Sequence, residues 1–414
     1  MPDMPRFSVL IPTIGRTELV RDSLKSILDQ NFNDVETIIA DSGSSDELRK
    51  LVEEADDVRI RYVGVPGGDP SLGWDYAYKQ ARGEYVLWLD DDNELLPFAL
   101  GKFDTLIRKT AAEIVTASHV YYYNRFYIRS DRRNALGIIP FDRGEGPIEP
   151  REAVKALLSF SLGGKIFPYR LHPAATMFSK VLCERSVART GYVVLPGMRV
   201  NHSLQVLLFG QAKSCYGVRS PFSVVGRYGS SLTQSFNTRV KASGRKIYRF
   251  ELSPIKSDLL RNHVWESYLR ARALLPEIMD IPPNTSRFLE LYLRDLFFAD
   301  QKKEISAACW RELLGLIVNH PDIKDHDVFL GIAKRYCLYS NFVQPLKNMG
   351  LWMWFKNIFR RSRIFFGVED NRKFGMSSEF IVPLKKYYIN DVAELLPRIP
   401  EIVKKEINIE VPVS

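Results

Sequence analysis

Asp90, Asp91 and Asp92 are three consecutive carboxylates that end the apolar run 85–89 within GEYVLWLDDDNELLP, residues 83–97. Like charges packed this closely repel and are rarely buried without a partner. Carboxylates at i and i+2 can both reach one hard cation, which can in turn hold a diphosphate. Asp90 and Asp92 have that spacing. Asp91 between them turns aside, because neighbours in an extended segment face opposite ways. An isolated acidic triplet is more often a solvated loop. Here the run before it reads as a strand buried on both faces of a parallel sheet, and open α/β sheets bind ligands where such strands end.

The elements before this strand repeat one unit. Residues 7–12 (FSVLIP) are β-branched and apolar, and 13–16 (TIGR) turn. Thr17 is placed to cap a helix that carries Glu18 in its first turn and a stripe of Leu19, Leu24, Ile27 and Leu28. Residues 35–40 form a second strand with the exit loop DSGSSD (41–46), and a helix starts near Asp46. Residues 58–65 form a third strand. The loop Gly67, Gly68, Asp69, Pro70 follows, and then a helix over 72–81. The order β-α-β-α-β-α-β defines an α/β fold with a mostly parallel, Rossmann-like sheet. Right-handed crossovers bring the loops at Thr13, Asp41, Asp69 and Asp90 to one sheet edge.

The 414 residues suggest two or three domains. With 45% hydrophobic and 26% charged residues, the chain can bury sizeable cores, which excludes a disordered protein. A net charge of +9 favours anionic partners: nucleotide diphosphates, nucleic acid or an acidic membrane surface. Four cysteines, far apart and without Cys-x-x-Cys spacing, point to a reducing compartment rather than a disulfide framework or structural zinc. No signal peptide or transmembrane stretch is expected.

Five segments, in order, resemble the nucleotide-sugar half of family-2 glycosyltransferases with the GT-A fold. They are the strand ending in Pro12-Thr13, the ADSGSSD loop (40–46), Ala81-Arg82-Gly83-Glu84-Tyr85, the Asp90-Asp91-Asp92 triplet in place of an Asp-x-Asp motif, and Leu95-Leu96-Pro97. Fainter likeness returns at His172-Pro173-Ala174-Ala175-Thr176 and Gly229-Ser230-Ser231-Leu232-Thr233.

The resemblance implies an inverting transfer from a nucleoside diphosphate sugar, UDP foremost, to a carbohydrate or lipid-linked acceptor in surface polysaccharide or glycan assembly. Pro12, Thr13, Arg16, Asp41, Asp69, Asp90 and Asp91 would line the nucleotide sugar. Asp92 would hold Mn²⁺ or Mg²⁺ on the diphosphate. Asp41 would accept from the base, although an Asp here can equally close its own turn. The family's general base is an Asp or Glu at a helix start in the second half. No carboxylate lies between Gly191 and Gln211, so His202 is the candidate, against the alternative of a packing histidine. Asp142, Glu145 and Glu149 are further candidates. A domain that binds nucleotide sugar but lacks a base, working as a scaffold at the membrane, is the competing expectation.

The GT-A domain is expected over 1–245. Tyr121, Tyr122, Tyr123 and Tyr127 can stack on a sugar or pack within a strand. From about 246 apolar residues recur at helical spacing, so 246–414 is expected to be helical. Within it, 345–366 is a basic, aromatic, amphipathic segment suited to an anionic membrane interface, with no nucleic-acid motif beside it. The expected location is cytoplasmic, peripheral on the inner face of the cell membrane.

Overall fold

The computed structural model describes residues 4–66, 70–127, 132–138, 145–162, 169, 171–195, 199–228, 250–255, 260–292, 380–387, 392–399, 401, 402 and 405. The first half runs β1 (Phe7–Thr13), α1 (Thr17–Leu28), β2 (Val35–Asp41), α2 (Asp46–Ala55), β3 (Ile60–Gly64), α3 (Pro70–Gln80), β4 (Tyr85–Trp88), β5 (Asn93–Leu95) and α4 (Ala99–Thr110). It continues through β6 (Ile114–Tyr123), β7 (Ala135–Ile138), β8 (Gly146–Ile148), α5 (Pro150–Leu158), β9 (Thr176–Ser179), α6 (Lys180–Thr190), α7 (Val200–Gln211) and β10 (Cys215–Arg227). Helix α8 (Leu260–Ala273) and strand β11 (Phe380–Pro383) complete the main elements described.

Strands β3, β2, β1 and β4 lie side by side and parallel, as the repeated unit requires. The sheet then continues through β9, antiparallel to β4, and β6, antiparallel to β9. The long β10 runs parallel to β6 and closes antiparallel on β5 and β8. This is the mixed α/β arrangement of the GT-A fold expected from the sequence.

Alternation along the central strands explains their continuous apolarity. Phe7, Val9 and Ile11 pack with Val20, Leu24 and Ile27 of α1 and Phe103 of α4, whereas Leu10 packs on the other face with Trp74, Ala77 and Tyr78 of α3. β4 divides in the same way: Leu87 and Leu89 join the α1 layer, Val86 and Trp88 the α3 layer. A strand covered on both faces has no polar side.

Some expectations change. Arg16, not Thr17, occupies the N-cap of α1 and makes no side-chain cap; Thr17 is the first helical residue and is buried. Packing continues past residue 245. Val264, Trp265 and Tyr268 of α8 share a core with Leu204, Leu207 and Leu208 of α7. Further on, β11 is a strand where a helix was expected. Its sequence, FIVP, favours an extended backbone, and it pairs antiparallel with β7. Val382, Leu384, Tyr387, Leu395 and Ile399 then pack with Val120, Tyr122 and Leu136. The amphipathic segment 345–366 lies outside the described residues, as do residues 229–233.

Because Val382 is buried in this shared core, Val382→Asp should lower the unfolding free energy by about 2–3 kcal/mol in urea titration, the range for an unpaired buried charge. An unchanged midpoint would mean that the C-terminal strand adds nothing to the sheet.

Candidate active site

The parallel register fixes the site. Thr13 at the end of β1 lies level with Asp41 at the end of β2, and Asp41 with Gly64 at the end of β3. Leu89, just past β4, donates its N–H to the Leu10 carbonyl at 2.8 Å, so the triplet begins beside the same edge.

The middle carboxylate turns inward. Leu87, Leu89 and then Asp91 face the α1 layer, where Arg16 waits. Arg16 donates Nε to Asp91 Oδ2 at 2.8 Å and Nη2 to Asp91 Oδ1, a two-pronged fork. Thr13 Oγ1 donates to Asp91 Oδ2 at 2.5 Å, and Ser23 Oγ donates to the Asp91 carbonyl at 2.9 Å. Asp91 is fully buried. Its carboxylate is therefore committed inside the protein, which corrects its placement among residues that touch a nucleotide sugar. Arg16 is likewise engaged by Asp91, though its buried Nη1 has no hydrogen-bond partner among the described residues.

Asp41 is also fully buried. Its Oδ1 accepts from the Gly15 and Gly43 N–H groups at 2.9 and 2.7 Å. Its Oδ2 accepts from the Ser45 N–H at 2.7 Å and the Tyr62 hydroxyl at 3.0 Å. Four donors make this carboxylate the knot that ties the first two loops together. Gly15 sits at φ 69°, in the left-handed region, and a Cβ on Gly43 would lie 2.8 Å from the Gly15 nitrogen, so the two loops touch through glycines. The turn-closing alternative weighed for Asp41 is the geometry observed, extended to a second loop. Pro12 is buried, and Asp69 lies outside the described residues.

Asp90 and Asp92 remain partly exposed. The Asp92 carbonyl accepts from the Gly226 N–H at 3.0 Å, which locks the acidic loop to β10. A Cβ on Gly226 would sit 1.9 Å from that carbonyl, so only glycine allows this approach. Burial and mutual repulsion raise the proton affinity of Asp90, and burial raises that of Asp92 against the pull of Arg16 and Arg227. Two neighbouring carboxyl groups held in this way fit a divalent cation that a diphosphate also ligates. Among the described residues no group of three or more acids, histidines or cysteines could hold a metal without such help.

The opposite wall was not legible as a site. Arg227 stacks on Tyr121 at 4.7 Å and is coupled to Asp92; Arg199 is coupled to Asp90. His172 and His202 line the same region. Burial first, then neighbouring guanidinium charge, pushes each down to about 3. The sequence-predicted base, His202, is hence neutral and only weakly basic in the free protein, with Nδ1 3.2 Å from the Tyr268 hydroxyl. Of the other base candidates, Glu149 caps α5 by accepting from the Arg151 N–H, Glu145 is exposed, and Asp142 lies outside the described residues. Arg199 and Arg227 carry no local motif. Only β10 returning against β6 brings Arg227 to the acidic loop.

An open parallel sheet with a cation-ready pair of carboxylates at its strand ends is the form of a nucleotide-binding enzyme. Residues 8–172 match the family described as Glycosyl transferase family 2. Over these residues the chain resembles family-2 glycosyltransferases. It is 41% identical over 114 residues to a GalNAc(5)-diNAcBac-PP-undecaprenol beta-1,3-glucosyltransferase of Campylobacter jejuni, covering 26% of this chain and 35% of that protein. It is 30% identical over 95 residues to the poly(ribitol-phosphate) beta-N-acetylglucosaminyltransferase TarS of Staphylococcus aureus, covering 22% of this chain and 17% of that one. Among solved structures, residues 1–349 of S. aureus TarS in complex with UDP-GlcNAc align at TM-score 0.47 and 14% identity, over 76% of this chain and 79% of that chain. The chain spans about a third, or less, of the length of these two curated relatives.

Two tests follow from the geometry. Asp91→Asn and Arg16→Met should each cost about 3–5 kcal/mol in urea unfolding, because each strands a buried partner. The double variant Arg16→Met/Asp91→Leu should recover most of the loss. The histidines set an acid limit. In the unfolded chain they bind protons below about 6.5, and in the folded protein only near 3. The unfolded state holds more protons between those values, so stability falls as pH drops below 6.5. Unfolding free energies at pH 7 and 5 should differ less in His202→Gln than in the wild type; an equal difference would mean that His202 titrates normally.

Proposed function

We propose that the protein transfers a sugar from a nucleoside diphosphate donor, UDP foremost, to a carbohydrate or lipid-linked acceptor with inversion, in surface polysaccharide or glycan assembly. The observation that carries this reading is the placing of Asp90 and Asp92, both partly exposed, at the strand ends within electrostatic reach of Arg16, Arg199 and Arg227. It is supported by a relative whose name specifies an undecaprenol-linked substrate and by TarS structures holding UDP and UDP-GlcNAc.

The donor would lie along the loops after β1, β2 and β4, its base toward the Asp41 knot and its diphosphate toward Asp90 and Asp92. Bound there by Asp92 with Asp90, Mn²⁺ or Mg²⁺ would neutralise the leaving diphosphate. Arg227, Arg199 and the unpartnered Nη1 of Arg16 meet the negative charge that grows as the anomeric bond breaks. The acceptor oxygen attacks from the opposite face, its proton passes to His202, and the diphosphate departs with the bonding electrons. A weakly basic His202 suits this role only once the donor is bound. Guanidinium charge helps to depress its proton affinity, and a diphosphate offsets that charge. The work would be done on the cytoplasmic side, with residues 345–366 against the inner membrane surface.

The low proton affinity of His202 favours one other reading, a donor-binding scaffold that performs no transfer. Calorimetry with UDP, Mn²⁺ and chelator, followed by assay of sugar release, separates the two. Asp92→Ala should weaken metal-dependent UDP binding by at least about tenfold, the scale of one lost charge-assisted contact. His202→Gln should keep UDP binding and lower sugar release by about 10²–10⁴-fold, the usual worth of a general base. Wild-type binding without any release, on donor alone or with acceptors, would favour the scaffold. No binding of any nucleotide sugar would overturn both readings.

A further inference from the structure

The turn that follows β6 carries an exposed ring. Phe126 is 66% exposed, and among the described residues no aromatic side chain is more so. A single exposed apolar residue is ordinary and needs no function. This one differs in how its backbone is held. The Tyr127 N–H donates to the Asn124 carbonyl at 2.9 Å, which closes the turn, and the Phe126 N–H donates to Asn124 Oδ1 at 2.8 Å. The turn is then tied to the body. The Asn124 N–H donates to the Arg227 carbonyl at 3.2 Å, Arg133 Nε donates to the Tyr127 carbonyl at 2.7 Å, and the Tyr127 ring meets the Tyr123 ring at 4.7 Å. Arg125 and Phe126 are thus the tip of a turn whose backbone is fixed.

Positive charge surrounds the ring. Arg125 and Arg133 are both exposed, and the Arg125 guanidinium lies 4.8 Å from the Phe126 ring centre. In sequence, residues 121–134 hold four arginines against one acid, Asp131. An aromatic ring held out among arginines has the chemistry of a membrane-interface contact. The ring enters the boundary between headgroups and acyl chains, and the guanidinium groups stay at the phosphates. Anionic headgroups complement this charge, and a neutral surface does not. The placement agrees. Strand β6 is antiparallel to β9, which is antiparallel to β4, so β6 runs in the direction of β4. The tip therefore lies on the sheet edge to which β4 delivers Asp90, Asp91 and Asp92.

We propose that this turn docks the protein on an anionic lipid surface, with Phe126 inserted and Arg125 and Arg133 on headgroup phosphates. The proposal goes beyond the transferase reading and does not need it. With the site edge turned to the lipid, an acceptor carried on a lipid would meet the acidic loop from the membrane side. Residues 345–366, whose composition also suits such a surface, would supply the second contact that stable docking requires.

The test uses the full chain, without donor, and two kinds of vesicle: phosphatidylcholine alone, and phosphatidylcholine with about a third phosphatidylglycerol. Binding is read by co-sedimentation. The wild type should bind the anionic vesicles about tenfold or more tightly than the neutral ones, an advantage that shrinks as salt is raised. Phe126→Ser should weaken binding to anionic vesicles about tenfold, the scale of one lost buried ring, and Phe126→Trp should bind as the wild type. Arg125→Gln/Arg133→Gln should weaken it by more than about tenfold, at about fivefold per charge. Val58→Ser, at a side chain 98% exposed just before β3 on the opposite sheet edge, should alter nothing. Every variant keeps residues 345–366, so a loss is assigned to the turn, and urea midpoints equal to the wild type show that the variants fold. No binding of the wild type to anionic vesicles, or equal binding of the Phe126→Ser and Val58→Ser variants, would overturn the proposal. UDP binding is scored separately, so its absence in the wild type would count against the transferase reading and not against docking.

Discussion

The Arg16–Asp91 ion pair is the constraint on which the site depends. A carboxylate at the end of a fully buried strand must either reach water or find a cation. Asp91 finds one in the first loop, and the Thr13 and Ser23 hydroxyls fix it further. The consequence is mechanical. The end of β4 is joined to the start of α1, so the acidic loop and the loop after β1 cannot move apart. The Asp41 knot does the same for the loop after β2, and the Gly226–Asp92 contact does so for β10. Three loops and a strand from four places in the chain thus become one rigid rim.

With Asp91 spent on architecture, Asp90 and Asp92 carry the charge that the site presents. They are held near one another at an energetic disadvantage that shows as raised proton affinity. Nearby guanidinium groups partly balance them, and burial first, with that same positive charge, keeps both histidines neutral. Charge in the cleft is consequently arranged as opposed rows. A diphosphate with a cation would satisfy both rows at once, and neither partner alone would.

The α/β order, the four parallel strands and the acidic strand end were legible because they are local. Apolar alternation, turn residues and a carboxylate run all fall within a few residues of one another. The inward turn of Asp91 was legible too, from the period of an extended chain. What could not be read was whatever depends on strands meeting at long range. Arg227 reaches the acidic loop through the pairing of β10 with β6, and Tyr268 reaches His202 through the packing of α8 on α7. The strand at Phe380–Pro383 was overlooked because four residues give too short a pattern against a helical background. The role of Asp41 was legible only in half. Its own turn was foreseeable, but its reach to Gly15 and Tyr62 needed the parallel register.

The short turn at Pro173–Ala175 has one more implication. His172 caps it, its Nδ1 accepting the Ala174 N–H at 3.2 Å. A neutral imidazole that accepts at one nitrogen must carry its proton on the other. Burial and Arg227 hold this ring neutral, so Nε2 is a permanent donor rather than a switch. Arg227 lies within electrostatic reach of this ring and of Asp92, so ring and guanidinium both place N–H groups near the acidic loop. Such a grouping selects for polarity. It welcomes the oxygens of phosphates and sugars, which accept, and it repels ammonium and amide donors, giving the cleft a chemical handedness built into the tautomer of one histidine.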